Sequence, residues 1–151
     1  MDFTTLLDAL VSHAQSVGGI APVNGHQPPS VDPSGISAGI WVQDMRPVKE
    51  LSGLSVTSME ALFNVRLYSS AVQQPYDAID PALMNAADTL LAAYSGDFQL
   101  AGEVMEVDLL GQYGPSMSAT AGYMTNDGVT LRVMTIALPL IVADLWKQGG
   151  S

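Results

Sequence analysis

The chain contains no cysteine, which excludes disulfides and thiolate metal sites and fits a reducing compartment. Cations are scarce: five lysines and arginines stand against 15 acids, for a net charge of −10. Arg46, Lys49, Arg66, Arg132 and Lys147 form no cluster. Direct nucleic-acid binding is therefore disfavoured, because each phosphate contact takes a cation. The same shortage disfavours an anionic membrane surface. Long apolar runs are missing too: the longest, 136–143, falls far short of the ~20 residues that span a bilayer. The opening MDFTTLLDAL has no basic stretch and does not read as a signal peptide. Charged residues make up 13%, about half the ~25% of ordinary soluble domains. A surface so poor in charge is suited to becoming interface.

What is present is a core-forming amount of apolar sequence, 48% of 151 residues, enough for one domain. Phe3, Leu6, Leu7, Leu10, Val11, Ala14 and Val17 recur at helical spacing until Gly18-Gly19 stops them. Residues 18–35 hold Pro22, Pro28, Pro29 and Pro33 among Gly, Ser and Asn. That composition predicts a long loop and excludes a regular helix or a central strand. Ile36, Ala38, Ile40 and Val42 then alternate, with Trp41 on the other face and Arg46-Pro47 as the expected end. Thr57, Met59, Ala61, Phe63, Val65 and Leu67 form the apolar side of a long strand. Its other side is polar, interrupted by Leu62 and Tyr68. Such a period of two predicts an antiparallel sheet with one covered face.

Asp80-Pro81 reads as an N-cap and first-turn proline. Ile79, Leu83, Ala86, Ala87, Leu90 and Tyr94 continue it as a second helix to Gly96. Met105, Val107 and Leu109 alternate with Glu106 and Asp108 as a further strand. Asn126-Asp127-Gly128 is the strongest hairpin signal in the chain, since Gly accepts the positive φ the turn requires. After it Val129, Leu131, Val133 and Thr135 face one way, and Thr130, Arg132, Met134 and Ile136 the other. Leu138, Pro139, Leu140, Ile141 and Val142 are apolar on both faces, as though the strand ran into a protein contact. The order is helix, two strands, helix, three strands. It predicts one α+β domain: a mostly antiparallel sheet of about five strands with two helices packed on one face.

Candidate chemistry is thin. Gly35-Ile36-Ser37-Ala38-Gly39 matches G-x-S-x-G, but the pattern needs a strand-turn-helix elbow and a later His. Here it opens a strand, and no His follows. His13 and His26 are the only histidines, with no acid at metal-ligand spacing. His13 lies on the polar flank of the first helix, where solvent is the plain reading. Glu106 and Asp108 would share a strand face, roughly 7 Å apart by strand rise. The spacing suits a glycosidase-like pair, yet nothing nearby would split their pKa values. Arg66 and Arg132 are expected either to pair across strands with an acid such as Glu60 or Glu106 or to bridge subunits. No catalytic residue, cofactor or metal is expected.

Four stretches carry a resemblance: VNGHQPP at 23–29, PYDAIDPALMNAADTLLAAYSGDFQLAGEV at 75–104, YGPSMSATAGYM at 113–124 and LRVMTIALPLIVADLW at 131–146. In length, order and spacing the chain resembles the tail-terminator proteins of long-tailed, siphovirus-type actinobacterial phages, over nearly its whole length. The shared pieces are structural and none is catalytic. One departure lies in the early loop, where Gln27-Pro28-Pro29 stands in place of a charged residue beside His26.

The resemblance implies a virion protein, assembled in the host cytoplasm and sited at the tail–neck junction. It implies a homohexameric ring that caps the tail tube and stops its growth. The ring's partners would be the major tail tube protein and the head-tail connector, or neck, protein. DNA would pass through as non-specific cargo. The charge of −10 agrees: DNA carries one charge per ~1.7 Å, and an acidic lining repels it over about 8 Å at physiological salt. Expected contact residues are His26, Pro28 and Pro29 in the loop, Arg66 and Arg132 on strands, and Leu138, Pro139, Ile141 and Trp146 in the last strand. The alternatives are a head-completion or neck connector protein of the same virion, a small hydrolase using Ser37 or the Glu106/Asp108 pair, and a monomeric binding module.

Overall fold

The computed structural model describes residues 3–16, 20–25, 35–48, 56–70, 79–96, 106–108, 110–112, 114–126 and 128–147. In chain order the elements are α1 (Phe3–Gln15), β1 (Ile20–Asn24), β2 (Ile36–Val48), β3 (Val56–Ser70), α2 (Ile79–Gly96), β4 (Glu106–Val107), β5 (Ser118–Asn126) and β6 (Val129–Lys147). The strands form one sheet in the order β1-β2-β3-β6-β4, with β5 also on β6. Only β1 against β2 is parallel; β2–β3, β3–β6, β4–β6 and β5–β6 are antiparallel. The fold is therefore the expected α+β layout, with both helices against one face of the sheet.

The alternation in β3 sets the two faces. Met59, Ala61, Phe63, Val65 and Leu67 join a core with Leu6, Leu10 and Ala14 of α1 and Leu83, Ala87, Leu90 and Tyr94 of α2. Ile136, Leu138, Leu140 and Val142 supply the β6 side of that core. The helices meet each other where the buried Tyr94 hydroxyl donates to the Leu10 carbonyl at 3.4 Å. His13 tilts against the Tyr94 ring at 5.6 Å, so it belongs to this helix contact and is not simply solvated.

On the opposite face the cover is partial. At one end Tyr68, Leu131 and Val133 pack together with Met124 and Val129. At the other, the Asp108 amide donates to the Pro139 carbonyl at 3.0 Å, continuing the β4–β6 ladder by one rung, and the chain then comes over the sheet face, where Gly114 lies against Arg46 and Glu60. Between the two ends, among the described residues, the face holds a groove around Asn64 and Arg66.

Three expectations change here. Residues 20–24 are a strand and not loop, so three strands precede α2; β1 tolerates Pro22 because it is an edge strand. Arg46-Pro47 does not end β2, which continues to Val48 through a bulge between Val42 and Asp44. β1 pairs only as far as Gly39, so among the described strands Pro47 has no neighbour on the far side of β2. Asp80 lies within the first turn of α2, which begins at Ile79, rather than at its N-cap. The hairpin is as read: Asn126 pairs Val129, and Gly128 takes a φ of 76°. Met105 and Leu109 lie outside the described residues.

Candidate interaction surface

The last strand corrects the expected contact set. Leu138 and Ile141 are fully buried within the chain and Pro139 is buried as well. Leu138 points into the helix-covered core. Pro139 and Ile141 face the other way, level with Leu62 and Glu60 of β3, beneath the segment that follows β4. The strand is apolar on both faces because the chain covers both faces itself, so these three residues are not available as external contacts. Trp146 pairs with Thr57 in the β6–β3 ladder; its side chain, and His26, Pro28 and Pro29, lie outside the described residues.

The covering segment is pinned by a buried charge cluster that strand alternation alone did not reveal. Arg46 Nη2 donates to Glu60 Oε1 at 2.6 Å, across the register pair Arg46–Glu60 of β2 and β3. Glu60 is 2% exposed. Its carboxyl is pushed above the ordinary 4.5 chiefly by burial, opposed by Arg46 and reinforced by the neighbouring Asp108. Its second oxygen, Oε2, is buried with no hydrogen-bond donor among the described residues. Asp108 in turn accepts from the Gln112 amide at 2.7 Å, which closes a turn through Gly111. Gly111 has φ 72°. Asp108 is thus paired with Glu60 and the turn; the Glu106 side chain lies outside the described ones.

Both expected arginines find partners other than Glu60 or Glu106. Arg132 donates to Asp80 through Nε at 2.8 Å and Nη2 at 3.3 Å, tying β6 to the first turn of α2. Its guanidinium also stacks 4.4 Å from the Tyr123 ring centre. The hydrogen bond from Arg132 holds the Asp80 carboxyl below its ordinary 3.8. Arg66 has no carboxylate partner among the described residues. Its Nε donates to Thr135 Oγ1 at 2.8 Å, and its guanidinium lies 5.2 Å from the Trp41 ring centre. It lines a polar groove of about 460 Å³ on the open sheet face, with Gln43, Asn64, Thr120 and Thr135. A second groove, about 380 Å³ and mainly apolar, runs between α2 and β5 past Met84, Ala87, Leu91, Ala121 and Met134.

Ser37 lies inside β2 opposite Tyr68, is 4% exposed and has an unpartnered hydroxyl. Gly35 to Gly39 therefore lead into a strand and not through a strand-to-helix elbow. No group of three or more His, Asp or Glu side chains gathers as a metal site among the described residues. Within them no helix is long and apolar enough to cross a membrane.

The chemistry on display is that of surfaces. β5 is an edge strand of nine residues, SATAGYMTN, with no charge and no proline. Isolated proteins usually guard such edges with one or the other. Tyr123 on it is 69% exposed. No protein-family model matches the chain, and no curated relative matches it.

Proposed function

We propose that this chain is a phage tail terminator: a structural protein that forms a ring on the tail tube, halts its growth and presents a surface to the head-side connector. One observation supports it most: among the described residues the sheet's second face is left half open, with an arginine that has no carboxylate partner at its centre and an uncharged edge strand beside it. A ring protein needs surfaces of this kind, because each copy must be met by the next and by the partners above and below. The sequence resemblance over nearly the whole chain supports the same reading. So does the acidic balance, 15 acids to five bases, which suits a ring through which DNA slides without being gripped.

The neighbouring role in the same particle is that of the neck protein on the head side. A tube-growth assay separates the two. Tail tube protein is allowed to polymerise with and without this chain, and tube lengths are measured by negative-stain microscopy. A terminator stops elongation and decorates one tube end. Tubes that grow to the same length distribution in both reactions contradict the proposal.

A further inference from the structure

Three described cations have contrasting partners. Arg46 is paired with Glu60 and Arg132 with Asp80. Arg66 alone of the three has no carboxylate partner among the described residues. Its orientation is nevertheless set: Nε is held by Thr135 and the guanidinium plane rests over Trp41. The buried Tyr68 hydroxyl on the same strand face also interacts with the guanidinium; an arginine anchored in this way, through Nε and an aromatic ring, keeps donor capacity for a carboxylate that reaches it from outside. Arg66 lines a groove about 460 Å³ in volume, whose side chains Gln43, Asn64, Thr120 and Thr135 carry no negative charge.

The exposed described acids narrow the donor. Asp80 is taken by Arg132. Asp44 is on the same strand as Trp41 and the same sheet face as Arg66, level with Leu62. Asp8 and Asp88 remain, one on each helix. Around Asp8 the exposed neighbours Thr4, Thr5 and Ser12 are polar, and the apolar ones, Leu7 and Val11, pack against the core. Asp88 is different. Met84, one turn before it, is 60% exposed, and both line the apolar groove between α2 and β5. A carboxylate with an apolar rim is the one whose ion pair is shielded from water on docking, which is where such pairs count most.

We infer that the α2 face of one copy, with Asp88 flanked by Met84, docks on the open sheet face of the next and places Asp88 on Arg66. The inference rests on the ring proposed above and names its contact. The helix layer of each copy covers the sheet face of its neighbour. The contact is head-to-tail, since the two patches lie on opposite faces of the chain, and head-to-tail contacts generate rings when their rotation closes.

A charge swap tests it. Sedimentation velocity over a concentration series compares the wild-type chain, Arg66→Asp, Asp88→Arg and the double variant, with thermal melts confirming that each folds. Asp88 is exposed on α2, so that variant keeps its fold even where Arg66→Asp loosens the groove. Each single variant should weaken self-association about tenfold or more, and the double variant should regain it. Single variants that associate like wild type overturn the inference, as does a wild-type chain that stays monomeric throughout. The tube-growth assay reads the parent proposal separately. If wild type halts tubes and both single variants halt them equally well, the contact falls and the terminator reading stands. If wild type does not halt tubes, the terminator reading falls, and the swap still decides the contact.

Discussion

Gly114 lies directly against the Arg46 guanidinium: a Cβ built at this glycine would land on Arg46 Nη2 and on Glu60 Oε1. The segment after β4 therefore comes so close to the sheet that a side chain at this position must displace the ends of Arg46 and Glu60. Gly114→Ala should push Arg46 away from Glu60 and leave a buried carboxyl without its cation. The expected loss is about 1–3 kcal/mol, the usual cost of overpacking a tight site, measured by urea denaturation. A variant as stable as wild type would mean that the segment lifts off the ion pair freely.

Glu60 makes stability depend on pH in a defined direction. Burial lifts its carboxyl above 4.5, so the folded chain binds a proton that the unfolded chain has already released. This contribution is complete below 4.5 and is lost as pH rises through the folded pKa. Glu60→Gln should flatten that dependence. The amide oxygen can still accept from Arg46, and the amide nitrogen donates toward Asp108 as a protonated carboxyl would. Denaturation midpoints across a pH series check this; a Gln variant with the wild-type slope would place the titrating group elsewhere.

Leu138 was an expected contact and is instead fully buried in the helix-covered core. Leu138→Ala should cost about 2–5 kcal/mol of folding stability, as cavity-forming substitutions do. Thermal denaturation of the isolated chain is the check. Unchanged stability combined with lost assembly would restore the residue to the outer surface.

These corrections show what was readable in the residues and what was not. β3 and the β5–β6 hairpin were legible because their signals are local: strict alternation in Met59 to Leu67, and a glycine where the turn takes a positive φ. β1 was hidden because Ile20–Asn24 is short, contains Pro22 and is held by parallel pairing to a distant strand. β2 beyond Val42 was hidden because the bulge breaks its period, leaving Val42 and Met45 exposed while Val48 is buried. The apolar run at the end of β6 looked like an interface because its cover, the segment after β4, is long-range and leaves no mark on β6 itself. The Arg46–Glu60 pair follows from strand register, which the bulge resets. That Arg66 has no carboxylate partner among the described residues emerges only once the partners of the other two arginines are known.

Arg132 should act as a tether for α2. The Asp80 carboxyl is held below 3.8 by the bond from Arg132, so the tether is intact above that value and is lost as pH falls through the folded pKa. Arg132→Ala should raise hydrogen exchange in the first turns of α2 at neutral pH while leaving β3 protected. Wild type should show the same local change only in acid. Equal protection of α2 in both proteins at neutral pH would mean that packing alone fixes the helix.

The central claim, that this chain ends tail growth, is tested most directly in the particle. Under the proposed function, a phage encoding this chain would be grown with its expression silenced, and the lysates imaged by electron microscopy. The account predicts overlong tail tubes without heads. Tails of normal length lying free beside filled heads, or intact infectious particles, would contradict it.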